Sequence, residues 1–387
     1  MPPYRRVGDI PRKRHTLHRV DGQVAAEELM GEEGFSAASS LLYHRHSPSA
    51  LTSIEGVEAP EPVFTANSPL QPHHLRTGDL GSGASNDPVL GRRYLLGNDQ
   101  IAMAFAKVSE SSPLYRNATG DELVYLHAGA AVLESVFGRL DVREGDYVVI
   151  PSSTTHRWLL DAQIELLVFE ARGHVDLPRK YLTERGQLLE GAPFSERDLR
   201  GPDGEPLVVE DAEVPVLVRT RGGMSRHVHA HHPFDVVGWD GCNYPFALSI
   251  HDFEPIVGRV HQPPPVHQTF AGPGVVFCSF VPRLYDFDPN AVKVPYHHSN
   301  VDSDEVLFYA GGDFMSRAGS GIGRGSISLH PAGFVHGPQP GSRERSEDKD
   351  RTEELAVMMD TFKPLGLTDA ARSVSDPTYP WSWARRA

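Results

Sequence analysis

The chain is expected to be all-β, with two antiparallel β-barrels arising from an internal duplication and a long N-terminal arm before them. Three observations predict this. The 387 residues include 36 Gly and 32 Pro, a turn-rich composition that disfavours helical bundles. Short apolar runs recur at close spacing from about residue 94 onward. One spaced pattern of Glu, Gly, Pro and His occurs twice.

Residues 1–90 read as the arm, polar and rich in Pro, Gly and His, with brief apolar pieces such as Ser40 to Tyr43 and Val63 to Phe64. So little apolar surface cannot support a core, and the arm is expected to lie across another surface. Residues 91–232 read as the first barrel plus a linker. Strands are expected at 101–108 (IAMAFAKV), 122–129, 131–138, 146–151, 156–160 and 164–171, separated by turn residues. Six short strands so spaced point to an antiparallel sandwich or barrel. The polar, acidic stretch 188–215 reads as the linker. Residues 233–387 read as the second barrel, with apolar runs PFALSIHDF, GVVFCSFV, EVLFYAG, GSISLHP and ELAVMMDTF. The charged run RERSEDKDRTEE (343–354) reads as a solvated loop.

Composition excludes several function classes. Lys plus Arg number 37 against 51 Asp plus Glu, a net charge of −14, so no basic excess exists to neutralise phosphates and nucleic acid is not an expected partner. No apolar run approaches the roughly 18 residues of a membrane span, and MPPYRRVGDIPRKRH lacks the apolar core of a signal peptide. A cytoplasmic protein without a membrane partner is expected. Cys242 and Cys278 lack CxxC spacing and read as packing residues. The 20 histidines supply the commonest side-chain ligand of transition metals.

The duplicated pattern carries the chemistry. The second block holds His298-x-Asn300-x4-Glu305-x6-Gly312, then Gly325-x5-Pro331-x-Gly333-x2-His336. The first holds Glu122-x6-Gly129 and Gly145-x5-Pro151-x4-His156, with Tyr115 and Asn117 where histidines would stand. Residues two apart on a strand share a face, so His298 is expected to point into a barrel lumen that Glu305 reaches across the turn Val301 to Asp304, with His336 arriving from a later strand. Two imidazoles and one carboxylate leave coordination positions open, as in the facial triad of non-haem Fe(II) oxygenases, although Mn, Ni, Co and Zn accept the same ligands. One Fe(II) is expected at His298, Glu305 and His336. In the first barrel only Glu122 and His156 remain, too few for a site.

This is the two-part cupin signature, with Asn300 in place of the second His. Together with PFDVVGWDGCNYPF (233–246), VPYHHSN (294–300), SLHPAGFVHGP (328–338) and the run from about 92 to 182, the chain resembles the homogentisate 1,2-dioxygenase family, most densely from 233 to 338. The resemblance implies that His298, Glu305 and His336 hold Fe(II) and that O2 opens the ring of homogentisate to maleylacetoacetate, a step of tyrosine and phenylalanine catabolism. It also implies a homo-oligomer, a trimer or hexamer. His261, in GRVHQPPP, falls where the family has a histidine that acts on a ring hydroxyl. A hydroquinone-type ring must lose a phenolic proton, for which a neutral imidazole is a suitable base. His330 falls at a histidine near the substrate, and Tyr296 is expected beside it. Two positions depart from the family. Phe314 stands where a Tyr can hydrogen-bond the substrate, and Arg317 stands for a Lys, still able to pair with a substrate carboxylate. Losing that hydroxyl leaves open another dihydroxyarene, such as gentisate. A non-catalytic bicupin and an isomerase using another divalent metal are the remaining alternatives. His227, His229, His231 and His232, in RHVHAHHPF, read as exposed or rim histidines, a second metal site being the other reading.

Overall fold

The computed structural model describes residues 2–59, 61–210, 213–294 and 296–384. Strands dominate, and the two α-helices among the described residues, Ser342–Ser346 and Asp369–Ser373, are single short turns.

The six strands expected in the first barrel form at Ile101–Val108, Glu122–Ala128, Ala130–Ser135, Asp146–Ile150, His156–Leu159 and Ile164–Ala171. Glu122–Ala128 lies between Asp146–Ile150 and Ile164–Ala171 in a nine-stranded sheet. Ala130–Ser135 and His156–Leu159 belong to a seven-stranded sheet packed against it. Alternate residues take opposite faces of a strand. Val124, Val148, Leu166 and Val168 therefore pack on Leu133, Val142 and Trp158 of the facing sheet, while Leu123, Tyr125, Tyr147, Leu167 and Phe169 turn outward into a second core. Burial of both faces explains why these runs are continuously apolar rather than alternating.

The second core is shared with the C-terminal unit, whose six-stranded sheet runs Gln268–Gly272, Val275–Phe280, Leu355–Thr361, Asp304–Gly311, Ser326–His330 and His73–Arg76 in spatial order. The two sheets stack back to back. Phe105 meets Phe308 at 6.2 Å, Tyr147 meets Phe270 at 5.5 Å and Phe169 meets Phe277 at 5.0 Å between ring centroids. On Asp304–Gly311, Val306 and Phe308 thus face the first unit, and Glu305, Leu307 and Tyr309 face away from it. The duplication is visible in the backbone too. Gly129 and Gly145 have φ of 90° each, and Gly312 and Gly325 have 84° and 80°, left-handed turns that suit glycine.

The arm lies across its own chain: Ser39–His44 pairs with Val236–Gly241, Leu51–Val57 with Gly223–His229, and His73–Arg76 with Ser326–His330. Leu41, Leu42 and Tyr43 are buried there, so edge-strand pairing and a few apolar anchors order the arm without a second subunit. The segment after residue 233 also pairs with the first unit. Phe246–Ser249 adds to the nine-stranded sheet beside Asp146–Ile150, so pairing with the first unit continues through residue 249.

Candidate functional site

Glu305 stands on the face of the six-stranded sheet that looks away from the first unit. Its register partners are His330 on one side and Asp360 on the other, and directly opposed residues share a face. His298 and His336 come from irregular segments rather than from strands. Each backbone N–H donates to the other's carbonyl at 2.8 Å, an isolated bridge that holds the two imidazoles side by side, 4.3 Å between ring centroids. His336 Nδ1 lies 3.0 Å from the Phe334 carbonyl, which turns Nε2 toward Glu305 Oε1 at 3.1 Å. His298 Nε2 lies 3.4 Å from Glu305 Oε2. The ligating atoms of all three fall within 4.8 Å of one another.

His330 is fully buried and is not among the residues lining the cavity. Burial pushes its imidazole down to about 3 and keeps it neutral. Since a carboxylate only accepts, Nδ1–H donates to Glu305 Oε1 at 2.9 Å and Nε2 accepts from the Tyr379 hydroxyl at 2.9 Å. His330 therefore orients the ligand carboxylate. Burial raises the Glu305 carboxyl, but hydrogen bonds from His298, His330 and His336 outweigh it and hold the group well below its ordinary value.

A cavity of about 260 Å³ opens above the triad, lined by His298 and Glu305 together with His261, Tyr296 and Arg317. His261 Nε2 lies 2.9 Å from the Tyr296 hydroxyl, and partial burial lowers its affinity for a second proton. Arg317 is buried, with Nε donating to the Tyr309 hydroxyl at 2.9 Å and Nη1 to the Gly337 carbonyl at 2.8 Å. Phe314 does not reach the cavity. It packs edge-on against Tyr309, 4.9 Å between centroids, in a cluster with Cys278, Leu307 and Met358.

Several cavity residues escaped the sequence reading. His267 is buried, with Nδ1 lacking a partner. Asp360 accepts from Asn300 Nδ2 at 3.3 Å and is pushed up to about 8, first by burial and then by Glu305 and Asp302. Its signal was a lone acid near the end of the apolar run ELAVMMDTF. The charged run 343–354 is not all solvated loop: Thr352 is buried, and both Thr352 and Glu354 line the cavity. Of the four histidines in RHVHAHHPF, His229 and His232 are buried rather than exposed.

The first unit repeats the site's framework without its opening. Asp121 accepts from the backbone of Ser152 and Val175, as Asp304 accepts from Ala332 and Leu365. His156 Nδ1 lies 2.9 Å from the Thr154 carbonyl, as His336 does from that of Phe334. Glu122 pairs in register with Glu170, as Glu305 does with Asp360. Between Glu122 and Glu170 sits the guanidinium of Arg92, 2.8 Å from each. Tyr115 and Asn117 add hydrogen bonds to Glu122 at 2.9 and 3.1 Å. Among the described residues no guanidinium or ammonium is hydrogen-bonded to Glu305; three imidazoles converge on it instead, and Glu305 with His298 and His336 is a donor set that fits a divalent metal. In a second convergence, Glu32 with Asp121 and His174, His174 Nδ1 lies 3.3 Å from Asp121 Oδ1, a hydrogen bond that raises the imidazole to about 9.

Known proteins resemble the chain as follows. The family model described as homogentisate 1,2-dioxygenase N-terminal matches residues 98–250. A protein of Saccharolobus solfataricus named "Putative dioxygenase" is 41% identical over 384 residues, 98% of each chain. Homogentisate 1,2-dioxygenase of Bradyrhizobium diazoefficiens is 27% identical over 67% of this chain and 60% of its own length. That of Emericella nidulans is 26% identical over 61% of this chain and 54% of its own, so the match spans less than two thirds of either enzyme. Alike over 98% of each chain, this protein belongs to one family with that putative dioxygenase, a family whose N-terminal part matches the homogentisate 1,2-dioxygenase model.

Proposed function

We propose that the protein is an Fe(II)-dependent ring-cleaving dioxygenase that inserts both atoms of O2 into homogentisate to give maleylacetoacetate, in the catabolism of tyrosine and phenylalanine. The observation that carries this reading is the convergence of His298, Glu305 and His336 beside a cavity lined by His298, Glu305 and His261. At about 260 Å³ the space is below the roughly 300–1,000 Å³ of drug-sized pockets and suits a single substituted ring.

His298, Glu305 and His336 would hold the iron, which when bound supplies the redox chemistry that closed-shell rings and O2 lack between them. The chain does the rest. His261, neutral at physiological pH, donates Nε2–H to the Tyr296 hydroxyl, which fixes the ring, and takes the phenolic proton on the other nitrogen, Nδ1. Arg317 holds the substrate carboxylate with the N–H groups not engaged by Tyr309 and Gly337. His330 and Tyr379 keep the Glu305 carboxylate in place from behind. A homo-oligomer, trimer or hexamer, in the cytoplasm goes with this reading. Leu284, Phe287, Val301 and Val335, exposed by 59–83%, supply apolar surface for assembly.

The test is anaerobic reconstitution with Fe(II), followed by O2-uptake and ultraviolet assays on homogentisate, gentisate and hydroquinone. Homogentisate should be opened fastest. Turnover of gentisate alone would keep the ring-cleaving chemistry and replace the substrate, and no O2 uptake with any ring would reject the reading.

A further inference from the structure

The histidine-rich stretch 226–234 takes no part in the cavity above the triad. It lines a separate cavity of about 50 Å³ where the arm meets the first unit, together with Glu28, His44, Arg116 and Thr155. Three observations bear on what could occupy it.

Arg116 reaches into this space with both Nε and Nη2 donating to one acceptor, Thr155 Oγ1, at 2.9 and 2.7 Å. A guanidinium carries five N–H groups, so three are left without a protein acceptor, and among the described residues no carboxylate lies within ion-pair distance of it. The acids nearby are engaged elsewhere. Asp235 and Glu28 clasp His44 at 2.6 and 3.0 Å, and although burial opposes its charge, these two partners raise the imidazole to about 9. Summed over the lining, the His44 imidazolium and Arg116 match Asp235 and Glu28 in number, so no net negative charge repels an anion. Lastly, His229 is 6% exposed and its Nε2 is sealed from solvent with no hydrogen-bond partner. An orphaned buried nitrogen beside a cavity calls for a missing partner.

A metal does not meet these observations. Both nitrogens of His44 face carboxylates, His231 stacks on His46 at 3.9 Å, and these histidines do not bring three ligating atoms together as the triad does. An oxyanion does. We propose that this junction is a binding site for one small oxyanion, inorganic phosphate or sulfate or a short carboxylate, held by Arg116 and His229 and pinning the arm to the first unit. The inference is independent of the ring-cleavage reading.

The experiment is calorimetric titration of the full chain with inorganic phosphate, sulfate and acetate, with chloride holding the ionic strength constant. Saturable binding of at least one of them, at one site per chain, is expected. Preference for phosphate or sulfate identifies a tetrahedral ligand, and preference for acetate a carboxylate. Arg116→Gln and His229→Phe should each weaken binding at least tenfold while iron content and O2 uptake stay as in the wild type. Should Arg116→Gln not fold, Arg116→Lys keeps the charge without the planar fork and serves the same comparison. Absence of saturable binding to the wild type, or equal binding by the variants, would overturn the proposal.

Discussion

Arg92 Nη1 and Nη2 lie 2.8 Å from Oε1 and Oε2 of Glu122, a two-pronged ion pair with both side chains buried. Glu122 is the counterpart of Glu305, so one acid position of a duplicated framework is answered by a guanidinium and the other by three imidazoles. The duplicated halves thus diverged in which side chains answer the same buried carboxylate. Burial alone would raise Glu122; the charge and hydrogen bonds of Arg92 outweigh it and bring the group down to about 2.

Arg92→Met should therefore destabilise the protein by about 3–5 kcal/mol at neutral pH, because it strands two buried carboxylates. The pH dependence has a definite sign. In the wild type the folded value of Glu122 is below its ordinary one, so its contribution is present above about pH 4.5 and is lost as pH falls toward 2. In the variant the carboxyl is raised by burial, so the deficit shrinks on acidification. Urea denaturation at pH 7 and at about pH 4 measures both; an equal deficit at the two pH values would refute the assignment.

His261→Ala should lower turnover by on the order of 10²-fold, the common range for a general base, with iron content unchanged. Steady-state kinetics beside metal analysis distinguishes the outcomes. Loss of iron would make His261 a ligand, and unchanged turnover would mean that the proton leaves by another route.

His330→Phe and Tyr379→Phe should weaken iron affinity roughly 10- to 100-fold, as loss of a hydrogen bond behind a metal ligand does. Competition against a chelator reads the affinity. KM at saturating iron should hardly move, whereas a residue touching substrate would shift it.

Arg317→Met should raise KM for homogentisate roughly 10- to 100-fold, the worth of a charge-assisted hydrogen bond, and leave KM for uncharged hydroquinone nearly unchanged. Phe314→Tyr makes the contrasting case. Its hydroxyl would enter the cluster of Cys278, Leu307, Tyr309 and Met358 rather than the cavity, costing about 1–3 kcal/mol of stability if unpaired without improving turnover.

The strands of the sheets were legible because each is an uninterrupted apolar run bounded by turn residues. Ile101–Val108 and Ile164–Ala171 begin and end where the sequence places them. Those runs could not reveal which sheet each strand joins, and Phe246–Ser249 reads like its neighbours in the second block yet pairs with the first. The convergence of the triad was legible from spacing, since Glu305, Gly312, Pro331 and His336 fix a turn and its return. Which way a side chain faces was harder. His330 and Phe314 sit near the site in sequence but behind it in space, whereas His267 and Asp360 line it because of cross-strand register and the path of a loop, which leave little trace in composition. Arg92 was missed for the same reason: thirty residues before Glu122, it reaches it only through the fold.

Metal content after anaerobic Fe(II) reconstitution tests the central claim most directly, measured with O2 uptake on the same samples. One iron per chain is predicted for the wild type, with O2 uptake tracking that iron, and neither should survive in a Glu305→Ala, His336→Ala double variant. Two ions per chain, or full occupancy retained in the double variant, would contradict the account.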